Sequence, residues 1–174
     1  VRLQDEPPEV PIVGPLPEGL LGEVRIHQAI YLRRPDVRAV CRVTPFHVEL
    51  LSLVRRTPRA RHGLGVIFDP AVRLWDDPRL LRDNESAQRL AEDLGAGRAI
   101  VMRGNGAVIV GADLAEAVAS AWLLEDAARI EAGLMQIGQF DEKSLLSTEE
   151  VQARRATSAH VSQRLWDFLT SSDE

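Results

Sequence analysis

Residues 91–134 read AEDLGAGRAIVMRGNGAVIVGADLAEAVASAWLLEDAARIEAGL, and this stretch decides the fold. Two apolar runs, AIVM at 99–102 and AVIV at 107–110, are separated by Arg103, Gly104, Asn105 and Gly106. Asparagine and glycine tolerate positive φ, so the segment reads as two strands facing each other across a tight turn. Asp113 with Glu116 three residues later is a capping-box-like start, and the helix it opens extends to about Gly138. On the other side, a helix from about Glu85 to Leu94 is ended by Gly95.

Working outward, residues 1–19 carry Pro7, Pro8, Pro11, Pro15 and Pro17, too many for a helix or a central strand. They are expected to form a proline-rich arm, with the folded domain occupying 20–174. A helix is expected from about Leu20 to Arg34, stopped by Pro35, and a strand over Val37 to Val43. A second helix follows over about Phe46 to Arg56, with Phe46, Leu50, Leu53 and Val54 at helical spacing. Gly65 to Phe68 reads as a short buried strand, followed by a connection containing Pro and Asp. Ser147 with Glu150 opens a last helix that carries Leu165, Trp166 and Leu169. Trp122 and Trp166 fall on apolar helical faces, as core or subunit-contact residues. Strands lie among helices throughout, which implies an α/β domain with helices packed on a central sheet.

At 174 residues the chain has the size of one domain, 45% hydrophobic and 27% charged. No apolar run approaches the length of a bilayer span, and no charged-then-apolar leader is visible. The 21 basic residues against 26 acidic ones give a net charge of −5, which argues against a nucleic-acid or acidic-membrane partner. One cysteine, Cys41, excludes an internal disulfide and makes a reducing, cytoplasmic setting the default. Lys143 is the only lysine and sits in the polar run Asp141 to Ser144, a poor place for an imine-forming amine with a lowered pKa.

Three segments in order resemble the class II aldolase/adducin family. GEVRIHQAIYLRRPDVRAV (22–40) is similar to the family's Glu- and His-bearing helix leading into a strand. CRVTPFHVELLS (41–52) lies where the family has His-x-His at a strand end. In the third segment, 91–134, MRGNGAVIVG and the acidic helix after it look most like the decarboxylase-like branch, which acts on small aromatic acids. The resemblance covers roughly residues 20 to 170. It implies a three-layer α/β/α sandwich with a central, mostly antiparallel sheet flanked by helices. It also implies a homotetramer with active sites between subunits. The resemblance further implies a longer region before the Glu-bearing helix, with a loop that grips a substrate phosphate or carboxylate. Here that region is short and proline-rich, so the loop is missing or lies outside this sequence.

Family enzymes hold a divalent metal through three histidines to polarise a carbonyl. The resemblance places Arg42, Thr44 and Asn105 at those positions, and arginine cannot ligate a metal because it stays protonated. No metal and no other cofactor is therefore expected. Cys41, one place from Arg42 on a strand, is expected on the opposite face. Glu23 and His27, four apart on one helical face, keep open a substitute metal site; the alternative for His27 is a structural helix residue.

Glu23 matches the family's acid/base carboxylate, and a neighbouring Arg42 favours its charged form, which suits a base or an ion pair. Arg42 offers a planar fork of donors to a carboxylate or enolate oxygen, or else fills an obsolete cavity as a structural salt bridge. Thr44 and Asn105 are candidate hydrogen-bond partners of a substrate, His47 reaches the pocket mouth, and Arg103 adds positive potential or points to solvent. The expectation is a metal-independent, divergent enzyme of lyase, decarboxylase or isomerase/cyclase type. Its substrate would be a small carboxylate-bearing carbonyl or aromatic metabolite. One alternative is a non-catalytic binding or assembly domain like the adducin head; another is a metal-dependent enzyme with substitute ligands.

Overall fold

A computed structural model describes residues 9–157 and 160–171. The elements run α1 (Val24–Arg33), β1 (Ala39–Val43), α2 (Phe46–Leu53), β2 (Arg73–Trp75), α3 (Asn84–Leu94), β3 (Ala99–Met102), β4 (Ala107–Gly111), α4 (Leu114–Gln136), α5 (Thr148–Ala156) and α6 (Val161–Thr170). Single 3₁₀ turns at Gly65–Phe68 and Glu142–Ser144 interrupt the connections. The four strands lie in the order β1-β4-β3-β2, antiparallel except for the parallel pair β2 and β3.

The hairpin forms where the sequence demands it. Gly104 and Gly106 take φ of +63° and +67°, in the left-handed region that disfavours side chains. Gly106 is needed for a second reason: a Cβ there would lie 2.1 Å from the Val43 carbonyl oxygen. The turn thus presses directly on the exit of β1.

Alternation along the strands builds two cores. Ile100, Met102, Val108 and Val110 meet Ile26 and Ile30 of α1 and Leu90 and Leu94 of α3. Val101, Ala107 and Ile109 face the other way, onto Val48 and Leu51 of α2 and Leu123, Leu124 and Ala128 of α4, with Val161 and Leu165 of α6 behind them. Strands β3 and β4 are buried along their whole length, which is why they read as unbroken apolar runs. The result is the expected three-layer arrangement. No helix among the described residues is long and apolar enough to cross a membrane.

Helix starts are capped as the sequence indicates. Asp113 accepts from the Glu116 amide at 2.7 Å, and Ser147 and Glu150 form a complete capping box. The Glu116 carboxylate departs from the box pattern: it takes the Ala112 amide and pairs with Arg98.

Three expectations need correction. Gly65–Phe68 is a 3₁₀ turn and not a strand, because the Gly65 amide closes onto the His62 carbonyl and no strand of the described residues pairs with it; a four-residue apolar run carries no periodicity to separate the two. The connection after it contains β2, a three-residue strand too short and too charged at its flanks to be read. The last helix is two helices, α5 and α6. Val151 docks with Ala60 and Val66, whereas Val161 and Leu165 dock on the α2/α4 core, so one straight rod cannot serve both contacts.

Beside Val151 lies a buried ion pair. The side chains of Arg61 and Glu131 are 2% and 1% exposed, with Nε to Oε2 at 2.5 Å. Arg61 also donates to the Asp141 carbonyl and the Ser144 hydroxyl, and its guanidinium stacks 4.6 Å above the Phe140 ring.

Candidate functional site

Glu23 occupies the N-cap position of α1, where Pro35 at one end and Gly22 at the other bound the helix. Its Oε1 lies 3.9 Å from Arg82 Nε, while Oε2 is buried and has no hydrogen-bond partner. His27 follows one turn later on the same face. Burial, and then the charge of Arg42, push the His27 imidazole below its ordinary pKa, which favours its neutral form.

Arg42 points to the α1/α3 side of the sheet and Cys41 to the α2/α4 side, as strand alternation requires. One Arg42 amino group donates to the carbonyls of Val43 and Ala107 at 3.1 and 3.4 Å, and the other to the Asn105 carbonyl at 2.5 Å. The guanidinium therefore closes the open end of the β1–β4 ladder. Desolvation lowers its pKa from the ordinary arginine value, and the charges of Glu23 and Glu49 oppose that shift. Its Nε is buried without a partner, and so is Nδ2 of Asn105. Thr44 is exposed and lies against Gly106, with its Cγ2 2.9 Å from where a Cβ of that glycine would be.

His47 and Arg103 are placed elsewhere. His47 Nδ1 is 2.6 Å from Glu125 Oε1, and the same carboxylate takes the amides of His47 and Val48. The N-cap of α2 is Pro45, which has no polar side chain, so Glu125 of α4 supplies the cap from outside. Arg103 pairs with Asp76, which Arg55 also binds at 2.9 Å. The fold thus gathers Glu23, His27, Arg42 and Asn105, and leaves His47 and Arg103 in ion pairs of their own.

Sequence reasoning missed Ser52. Fully buried on α2, it donates to the Glu49 carbonyl at 2.6 Å and accepts the Gly104 amide at 2.9 Å, so it fixes the hairpin tip to α2. A serine ending an apolar helical stretch was the only signal. Ser52→Ala leaves the Gly104 amide without its acceptor and is expected to cost about 1–2 kcal/mol. Urea unfolding measures the loss, and loss of hydrogen-exchange protection at Gly104 locates it.

Five buried side-chain polar atoms among the described residues lack a partner: Glu23 Oε2, Arg42 Nε, Asn105 Nδ2, His62 Nε2 and Ser120 Oγ. Three of the five belong to this cluster. Such atoms cost about 1–3 kcal/mol each when left unpaired, so a polar partner bound at this cluster would be stabilising. One is a carboxylate acceptor and two are N–H donors. Glu23 and Arg42 feel each other's charge, yet neither orphaned atom bonds the other.

The family model for the class II aldolase and adducin N-terminal domain matches residues 14–132. An L-fuculose-1-phosphate aldolase from Thermus thermophilus is 30% identical, with 74% of this chain and 68% of that one covered and a TM-score of 0.62. The L-fuculose 1-phosphate aldolase from Glaciozyma antarctica is 20% identical, with 90% and 64% covered and a TM-score of 0.71. YgbL of Escherichia coli, whose description spans aldolase, epimerase and decarboxylase, is 24% identical, with 77% and 65% covered and a TM-score of 0.63. The chain spans 62% and 64% of the length of two of the aldolases it matches. No curated protein matches the chain with significance. Fold, matched residues and the 30% identical aldolase together show that the chain belongs to the class II aldolase and adducin N-terminal domain family.

Proposed function

We propose that this chain is a metal-independent enzyme on the class II aldolase scaffold, acting on a small carbonyl compound that carries a carboxylate. The observation that carries the reading is the set of three orphaned buried atoms, one acceptor and two donors, on residues the sequence singles out. In a lyase step, Glu23 takes the proton of a substrate hydroxyl as the adjacent C–C bond breaks. The electron pair of that bond passes to the neighbouring carbonyl, whose oxygen becomes an enolate oxygen. Arg42 Nε and Asn105 Nδ2 are the donors for that oxygen, as an oxyanion hole is in acyl transfer. Isomerisation uses the same parts, with Glu23 taking a proton from carbon. Thr44, exposed at the same strand end, is the further contact for substrate. His47 and Arg103, engaged by Glu125 and Asp76, take no part in this proposal.

The family implies a divalent metal, and the residues at this strand end do not fit one. A guanidinium donates no lone pair, and an amide and a hydroxyl beside a fixed positive charge are poor cation ligands. Among the described residues no three His, Cys, Asp or Glu side chains form a group that could hold a metal ion.

The second reading is an adducin-head-like assembly domain. It is favoured by an apolar stripe on α2, where Phe46, Leu50, Leu53 and Val54 are 71%, 41%, 57% and 56% exposed. Leu53 of that stripe lies beside the hairpin turn at Gly104, and this face is where we place the contact of a homo-oligomer, a tetramer by family likeness.

Metal analysis of the purified protein, with thermal melts in small hydroxy- and keto-acids, tests the enzyme reading. Trace metal only is expected, and a ligand at a hundred times its Kd should add about 2.7 kcal/mol of stability. Stoichiometric zinc or manganese would sink the metal-independent account. Leu53→Asp dispersing the protein, with no acid stabilising it, would favour the assembly domain.

A further inference from the structure

A separate cavity of about 520 Å³ lies between the proline-rich arm and the outward face of α1. Its walls are apolar: Val10 and Ile12 from the arm, Val24 from α1 and Val37 from the lead-in to β1. The arm is held in place, because Gln28 Nε2 donates to the Pro11 carbonyl at 2.7 Å. Val24, His27, Gln28 and Tyr31 fall at i, i+3, i+4 and i+7, so one helical stripe lines the cavity while Ile26 and Ile30 turn to the core.

The polar groups at this cavity divide into committed and uncommitted ones. Gln28 is spent on the arm. Tyr31 takes a backbone hydrogen bond from Val40, at the edge of β1 that no strand of the described residues covers. Arg38 uses its own amide on the Gly111 carbonyl, but its guanidinium makes no ion pair among the described residues. The His27 ring, too, makes no hydrogen bond among them. A mostly apolar cavity of this size, with one cation and one imidazole that have no polar partner among the described residues, has the make-up of a small-molecule site.

We propose that this cavity binds a small carboxylic acid with a compact apolar or aromatic body, its carboxylate on Arg38 and its body against Val10, Ile12, Val24 and Val37. The site is distinct from the cluster of orphaned atoms, since neither Arg42 nor Asn105 lines it. His27 lies between the two.

The test uses the full chain, with phenylacetate and its neutral analogue phenylacetamide as probes, followed by calorimetric titration and by the His27 and Tyr31 ring resonances. Phenylacetate should bind saturably at one site per chain, shift both rings, and outbind the amide. Arg38→Ala should weaken it by about tenfold or more, because a charge-assisted hydrogen bond is lost. Ile12→Asp, on the arm outside both cores, should weaken it independently. Glu23→Gln should leave it unchanged, so that this site and the proposed reaction can fail separately. Equal affinity for the amide, full affinity in Arg38→Ala, or loss of binding in Glu23→Gln would each overturn the proposal. So would a concentration-dependent rise in mass that buries this face and blocks phenylacetate.

Discussion

Arg61→Ala should lower the unfolding free energy by about 3–5 kcal/mol, the cost of leaving a buried charge without its partner. In a chain of this size that is a fall in thermal midpoint of roughly 10 °C. The cause is Glu131, 1% exposed on α4, whose counter-charge at ion-pair distance among the described residues is Arg61. Losing Arg61 also frees the Asp141 carbonyl and Ser144 hydroxyl and leaves Phe140 with Arg56 as its one stacked guanidinium among the described residues, so the segment that leads into α5 loosens. The double change Arg61→Met with Glu131→Leu removes both charges together and should recover much of the loss. Denaturant unfolding of the two single variants and the double variant decides the matter. A double variant that falls by the sum of the singles would contradict this account.

Glu23→Gln should reduce the rate of the proposed reaction by roughly 10²–10⁴, the usual worth of a positioned general base. Stability should hardly move. Among the described residues the Glu23 side chain has one ion-pair contact, 3.9 Å to an Arg82 that is 60% exposed, and such a pair contributes little. That separation of rate from stability distinguishes a base from a helix-end charge. Arg42→Lys makes a useful companion, because it keeps the charge and loses the planar fork that spans the Val43, Ala107 and Asn105 carbonyls. A Gln variant with the parent's rate, measured by product formation at saturating substrate, would remove Glu23 from the mechanism.

What the sequence made legible was local. Arg42 and Cys41 on opposite faces follow from a period of two, and the hairpin at Gly104 and Gly106 follows from backbone sterics. Asp113 and Ser147 announce helices through caps that span three residues. Site partners far apart in the chain were not legible. Glu125 captures His47 from 78 residues away, and Asp76 draws Arg103 to the β2 end from 27 residues away. Nothing in a one-dimensional pattern states that a proline-capped helix needs a carboxylate from another helix. Ser52 was hidden for the same reason, since its value lies in the Gly104 amide 52 residues on. The resemblance is what brought Glu23 and Arg42 into one candidate site, which periodicity alone does not.

The positive charge of Arg42 is covalently part of the polypeptide, so every chain leaves the ribosome already carrying it, one copy per chain. A chelator cannot strip it, a shortage of zinc in the growth medium cannot withhold it, and no rival ion can displace it. Whatever anionic group meets this strand end finds a cation whose supply depends on translation alone.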